Sequence, residues 1–208
     1  MKSGKGLFPI LLALSLMWGS AYIFMKVSSV EIPPMLLAAF RSSVALPILA
    51  GVCIYRRELS INRKTIRDIL VVGTLNGWLP NCLATLAISR VSSAEAGIIQ
   101  STTPIITGVT AALLLKGERL SAITVASLVT GFLGVVLVIS SASDPAQMGD
   151  ISGYLLMLCV SACFGIGTVY ARWARPSPPA LIASGQLVVA TLAALALSWG
   201  FGEKWSAG

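Results

Sequence analysis

Uncharged, largely apolar runs recur along the chain, each close to the ~20 residues that carry a helix across the hydrocarbon of a bilayer. Six are clean and bounded by charge: residues 7–25, 69–89, 96–115, 120–143, 151–171 and 176–202. A seventh, residues 33–55, matches them in length but carries Arg41 about a third of the way along. The pattern predicts an all-α membrane protein, a polytopic bundle of about seven transmembrane helices. The first run follows Lys2 and Lys5 and holds the small residues Gly19-Ser20-Ala21, features it shares with a secretory signal peptide. Its apolar stretch is longer than a signal core and more spans follow, so an uncleaved first helix is expected.

Composition agrees with the pattern. Of 208 residues 56% are hydrophobic and 11% charged, less than half the charged share of a water-soluble domain. There is no histidine, which removes Ser-His catalysis, rhomboid-like chemistry and the commonest zinc ligand. Asp68, Asp144 and Asp150 bound spans rather than sitting within them, so an intramembrane aspartyl protease is excluded as well. The expectation is therefore not an enzyme, with no cofactor and no metal. Cys53, Cys82, Cys159 and Cys163 all lie in apolar stretches and read as small buried hydrophobes.

Loop charges give a direction. If seven helices alternate, Lys2, Lys5, Arg56, Arg57, Arg63, Lys64, Arg67, Lys116, Arg119, Arg172 and Arg175 fall on one side. The positive-inside rule makes that side cytoplasmic, placing the amino terminus inside and the carboxyl terminus outside the cytoplasmic (inner) membrane. The other side receives Glu31, Arg90, Glu95, Asp144, Asp150, Glu203 and Lys204. The net charge of +7 is mostly this asymmetry, so membrane lipid headgroups, not nucleic acid, are the expected counterpart.

The chain also echoes itself. At an offset of 146, Phe164-Gly165 falls on Trp18-Gly19 and Arg172 on Lys26; at 145, Pro178-Pro179 falls on Pro33-Pro34. Five helices precede the second unit, and because five is odd that unit starts from the opposite face, as an inverted repeat. The expected division is residues 1–150, a complete five-helix repeat, and residues 151–208, an incomplete second repeat of two helices. About three helices of the second unit are absent, so the chain reads as cut short.

Several segments resemble one family. They are Trp18-Gly19-Ser20-Ala21-Tyr22 with Lys26, Pro33-Pro34 with Ala38-Ala39-Phe40-Arg41, and Thr103-Pro104-Ile105 ahead of Leu113-Leu114-Leu115. Lys116-Gly117-Glu118-Arg119-Leu120-Ser121 follows, then Gly131 and Gly134. In this order they resemble the EamA-type transporters of the drug/metabolite transporter superfamily. The resemblance implies a ten-helix carrier that moves a small organic solute (amino acid, metabolite or drug) by alternating access without ATP hydrolysis. The competing expectation is a non-transporting fragment or subunit, completed by a second copy or another chain.

Candidate cavity residues follow from polarity within the spans. Arg41 lies eight residues past Pro33, roughly 12 Å along its helix, and a buried arginine needs a partner or a watery cavity. Lys26 sits near a helix end and can either snorkel or reach solute. Asn76, Asn81 and Gln100, with Trp78 nearby, are polar groups that must find partners in lipid, beside Pro80 and Pro104, which loosen the helix ladder. Trp18, Tyr22 and Tyr170 are candidate aromatic walls, and Ser20 and Thr103 join them from the family-like motifs. Glu31 and Glu95 are expected at the outer surface as partners for Lys26 or Arg41.

Overall fold

The computed structural model describes residues 7–115, 121–141, 150–174 and 178–204. They form seven helical rods: α1 (Leu7–Ser28), α2 (Pro34–Tyr55), α3 (Arg63–Ile88), α4 (Ser93–Leu114), α5 (Ala122–Ser141), α6 (Ile151–Ala174) and α7 (Pro179–Gly200). All but α5 are long and apolar enough, among the described residues, to cross a membrane. The chain is a polytopic helical membrane protein.

Local chemistry sets the ends and bends. Asn62 accepts from the Thr65 amide to start α3, and Ser92 and Glu95 close a reciprocal capping box on α4. Asp150 opens α6, where the Ser152 hydroxyl bonds its carboxylate and holds it below the usual carboxylate range. Pro80 has no N–H to offer the Asn76 carbonyl, and α3 widens into an i→i+5 turn over Gly73–Trp78 just before it. Pro104 acts similarly in α4, which breaks at Ser101 and Thr102. Pro47 leaves α2 continuous.

Successive helices alternate in direction. Contacts gather Lys26, Met35, Arg90, Asp150 and Glu203 at one end, and Glu58, Asp68, Tyr170 and Ala180 at the other. Helices α2, α3, α4, α6 and α7 make the centre; α1 rests on α3 and α4, and α5 on α4. A main core joins Tyr22, Ile88, Val91, Ile99, Met157 and Val160.

The most extensive packing is between α2 and α7. Both open with a proline pair, and neither proline at the cap position offers a side-chain acceptor. Each start is capped instead from the far end of the other helix. Glu203, just past α7, accepts from the Met35 and Leu36 amides at 3.2 and 3.0 Å. Glu58, just past α2, accepts from the Ala180 amide at 3.2 Å. The two carboxylates are related by 203 − 58 = 145, the same offset that relates the proline pairs (178 − 33).

Three expectations are revised. Asp68 does not bound a span: it lies within α3, fully buried, with the Tyr170 hydroxyl donating to Oδ1 at 3.2 Å and Oδ2 without a partner. Glu95 serves its capping box and takes a short hydrogen bond from Tyr154, rather than meeting Lys26 or Arg41. Of the cysteines, Cys53 and Cys82 are buried but Cys159 is exposed on α6. Lys2, Lys5, Lys116, Arg119, Asp144 and Arg175, with most of the 116–121 motif, lie outside the described residues.

Helix α6 approaches its neighbours through glycines. A Cβ on Gly165 would stand 2.8 Å from Ile106 Cγ2 and 3.1 Å from the Thr107 backbone nitrogen, whereas one on Gly19 would meet nothing within 4 Å. Gly165→Ala is therefore expected to destabilise by about 1–3 kcal/mol through overpacking. Gly19→Ala should be neutral or stabilise by roughly 0.5–1 kcal/mol through helix propensity. Thermal unfolding of both variants in detergent checks the contrast.

Candidate functional site

The polar interior is built where the widened turn of α3 faces α2 and α7. In an ordinary helix, Asn76 and Asn81 would be separated by more than one turn with intact hydrogen bonds between. The i→i+5 turn and Pro80 loosen this stretch and put both amides on the lining of one cavity of about 190 Å³. From α2 come Arg41 and Ser42, from α7 Gln186, Leu187 and Ala190. Trp18, Ala21, Tyr22 and Met25 of α1 and Phe164 of α6 complete the wall.

Asn81 organises this space. Its side-chain NH2 donates to the Ser42 hydroxyl at 3.1 Å and the Ala38 carbonyl at 3.3 Å, which turns its Oδ1 toward Arg41 Nη1 at 2.8 Å. The guanidinium also lies 3.8 Å from the Met25 sulfur. No carboxylate pairs with Arg41 among the described residues; the ion pair seen there joins Arg67 and Asp68. The remaining Arg41 nitrogens have no hydrogen-bond partner among the described residues, and Arg41 is part of the cavity lining. Asn76 Oδ1 is buried without a donor, pressed against the Gly167 backbone of α6, where a Cβ would overlap the amide.

Part of the lining is aromatic. Trp18 and Phe164 meet edge to face with ring centroids 6.0 Å apart and planes at 89°. They are the two aromatics that the 146-residue offset superposes, so residues matched by the internal echo touch at the cavity wall.

Of the residues singled out from sequence, Trp18, Tyr22, Arg41, Asn76 and Asn81 meet here, and the others go elsewhere. Lys26 Nζ donates to the Ile88 and Val91 carbonyls at 2.6 and 2.8 Å, closing the end of α3. Ser20 bonds back to the Met17 carbonyl at 3.2 Å. Trp78 Nε1 donates to Thr74 Oγ1 at 3.2 Å, and its ring packs on the core shared by Met35 and Cys82. Gln100 donates to Thr103 at 3.1 Å, bridging the break in α4, and lies 3.4 Å from Ser161 Oγ. Tyr170 serves Asp68 at the far end. Sequence reasoning missed Ser42, Gln186 and Phe164 as lining. Gln186 carried the same signal as Asn76, an amide inside an apolar run, and Phe164 was already marked by the echo.

Comparison with known proteins agrees with this architecture. Residues 5–140 match the EamA-like transporter family. The chain is 24% identical over 163 residues to the uncharacterized transporter YoaV of Bacillus subtilis (strain 168), covering 78% of this chain and 56% of that protein. It is 26% identical over 164 residues to an uncharacterized transporter of Archaeoglobus fulgidus, covering 78% and 56%. It is 30% identical over 163 residues to the uncharacterized transporter YvbV of Bacillus subtilis (strain 168), covering 78% and 52%. The chain spans about half the length of these curated relatives. With a match that takes in α1 to α4 and nearly all of α5, and so three of the five helices that line the cavity, the chain belongs to the EamA-like transporter family.

Proposed function

We propose that the chain works as a secondary carrier of a small organic solute, which occupies the Arg41 cavity and crosses the cytoplasmic membrane by alternating access. The observation that carries this reading is Arg41, with no carboxylate partner among the described residues, on the lining of a largely apolar cavity within the helical bundle. In this reading residues 1–150 form one repeat and residues 151–208 begin an inverted second one. The reciprocal capping of α2 by Glu203 and of α7 by Glu58 supports it, because an inverted pair places equivalent contacts at opposite faces. Each carboxylate contact then acts as a latch: releasing one while the other holds lets α2 and α7 part toward one face only. By its basic loops the chain has the Glu58 latch inside and the Glu203 latch outside.

The reading can be tested without knowing the solute. With the four natural cysteines replaced, Ala21→Cys places one thiol on the cavity wall. A membrane-impermeant maleimide is expected to label it from both faces of a proteoliposome. Each latch is worth about 1 kcal/mol as a helix cap, roughly fivefold in population. Glu58→Ala should therefore raise labelling from the inside about fivefold and Glu203→Ala from the outside. Labelling confined to one face in all three proteins would overturn alternating access. A second reading has this chain completed by another: labelling from both faces only after co-expression with a second copy or a relative would favour it.

Cavity roles have a separate expected outcome. Arg41→Ala and Trp18→Ala, expressed at normal levels, should each lower solute movement at least ~10-fold, the scale of one lost charge-assisted hydrogen bond or buried aromatic contact. Unchanged uptake and efflux in both removes them from the site.

A further inference from the structure

Resting on the reading of this cavity as the solute site, we infer that it selects organic anions, taking a solute with one carboxylate-like group on a flat apolar body and rejecting the corresponding cation. Three features of the lining lead there. Among the described residues Arg41 is its one charged side chain, and no Asp or Glu borders the space to receive a solute cation. A guanidinium has five N–H donors, of which the Asn81 and Met25 contacts occupy the two on Nη1, so bidentate geometry toward a carboxylate remains open through Nη2 and Nε. Trp18 and Phe164 line the same space and offer apolar aromatic surface to a flat ring.

Electrostatics gives the sign. An arginine held away from bulk water without a counter-ion makes its surroundings strongly favourable for a negative charge and unfavourable for a positive one. The usual remedy, a neighbouring carboxylate, is replaced by the neutral Asn81 oxygen, itself aimed by Ser42 and the Ala38 carbonyl. That arrangement fixes the guanidinium in place while leaving its charge unspent. Asn81 is accordingly a positioning residue, and its isosteric change Asn81→Asp would place a carboxylate where an amide oxygen now stands 2.8 Å from Nη1.

Phenylacetate, 2-phenylethylamine and 2-phenylethanol share one body and differ in charge, and their binding to the purified full chain can be followed by titration calorimetry in detergent. Phenylacetate is expected to bind at least ~10-fold tighter than either of the others, the scale of a charge-assisted hydrogen bond. Arg41→Gln and Asn81→Asp should both erase that preference, and Arg41→Lys should keep part of it. Asn81→Asp preserves shape, so it answers even if Arg41→Gln fails to fold. A phenylethylamine affinity equal to or above that of phenylacetate, or a preference that survives Asn81→Asp, overturns the anion selection. If all three bind alike and Trp18→Ala weakens all three, the charge selection falls while the cavity stands as the solute site. If none binds, both readings fall together.

Discussion

Two helices that begin with proline pairs cannot cap themselves, and the bundle is arranged around the need to cap them. Prolines at the start fix the backbone and suit the first turn, but the following amides still point along the axis without partners. At these helix ends such donors are met by protein acceptors. Glu203 meets those of α2 and Glu58 meets that of α7, which obliges the two helices to lie antiparallel, in full-length contact, with their ends in register. The small residues between them, Ala38, Ala39, Ala180 and Ala194, let the backbones come close enough for dispersion to add along the whole interface.

From that pair the Arg41 cavity follows. Alongside the antiparallel α2–α7 pair lies a space that the widened turn of α3 lines with two amides, and Trp18 of α1 and Phe164 of α6 add aromatic surface to it. The helix ladder is sacrificed in α3 at the same level where Arg41 needs an oxygen, and Asn81 supplies it. Backbone irregularity and buried charge thus solve one problem jointly. The proposed carrier would keep the cavity's lining while exchanging which latch is shut.

The spans were legible because lipid imposes a strong period-free rule: about 20 apolar residues without charge. The bends were legible too, since Pro80 and Pro104 each remove a donor that the helix needs, whereas Pro47 shows that the same loss can be absorbed. Arg41 announced itself by its depth. What stayed hidden was the destination of flexible or amphipathic side chains. Lys26 reads equally well as a cavity cation, yet it ends on two carbonyls of a neighbouring helix. Asp68 reads as a boundary charge, yet the extra polar turn of α3 carries it inside against Tyr170. Glu58 and Glu203 look like loop residues, and their partners lie 122 and 168 positions away. Such pairings depend on which helices become neighbours, which local pattern does not encode.

The central claim is that α2 and α7 form one latched pair whose two ends separate in turn. Pulsed electron–electron distance measurements on lipid-embedded protein test it directly. One spin-label pair replaces the exposed Phe40 and Phe201, the other the exposed Tyr55 and Pro179. The account requires a short and a long distance at each end, and locking either end shut with a cross-link should move the other toward its long distance. A single narrow distance at both ends, unaffected by the lock, would contradict it.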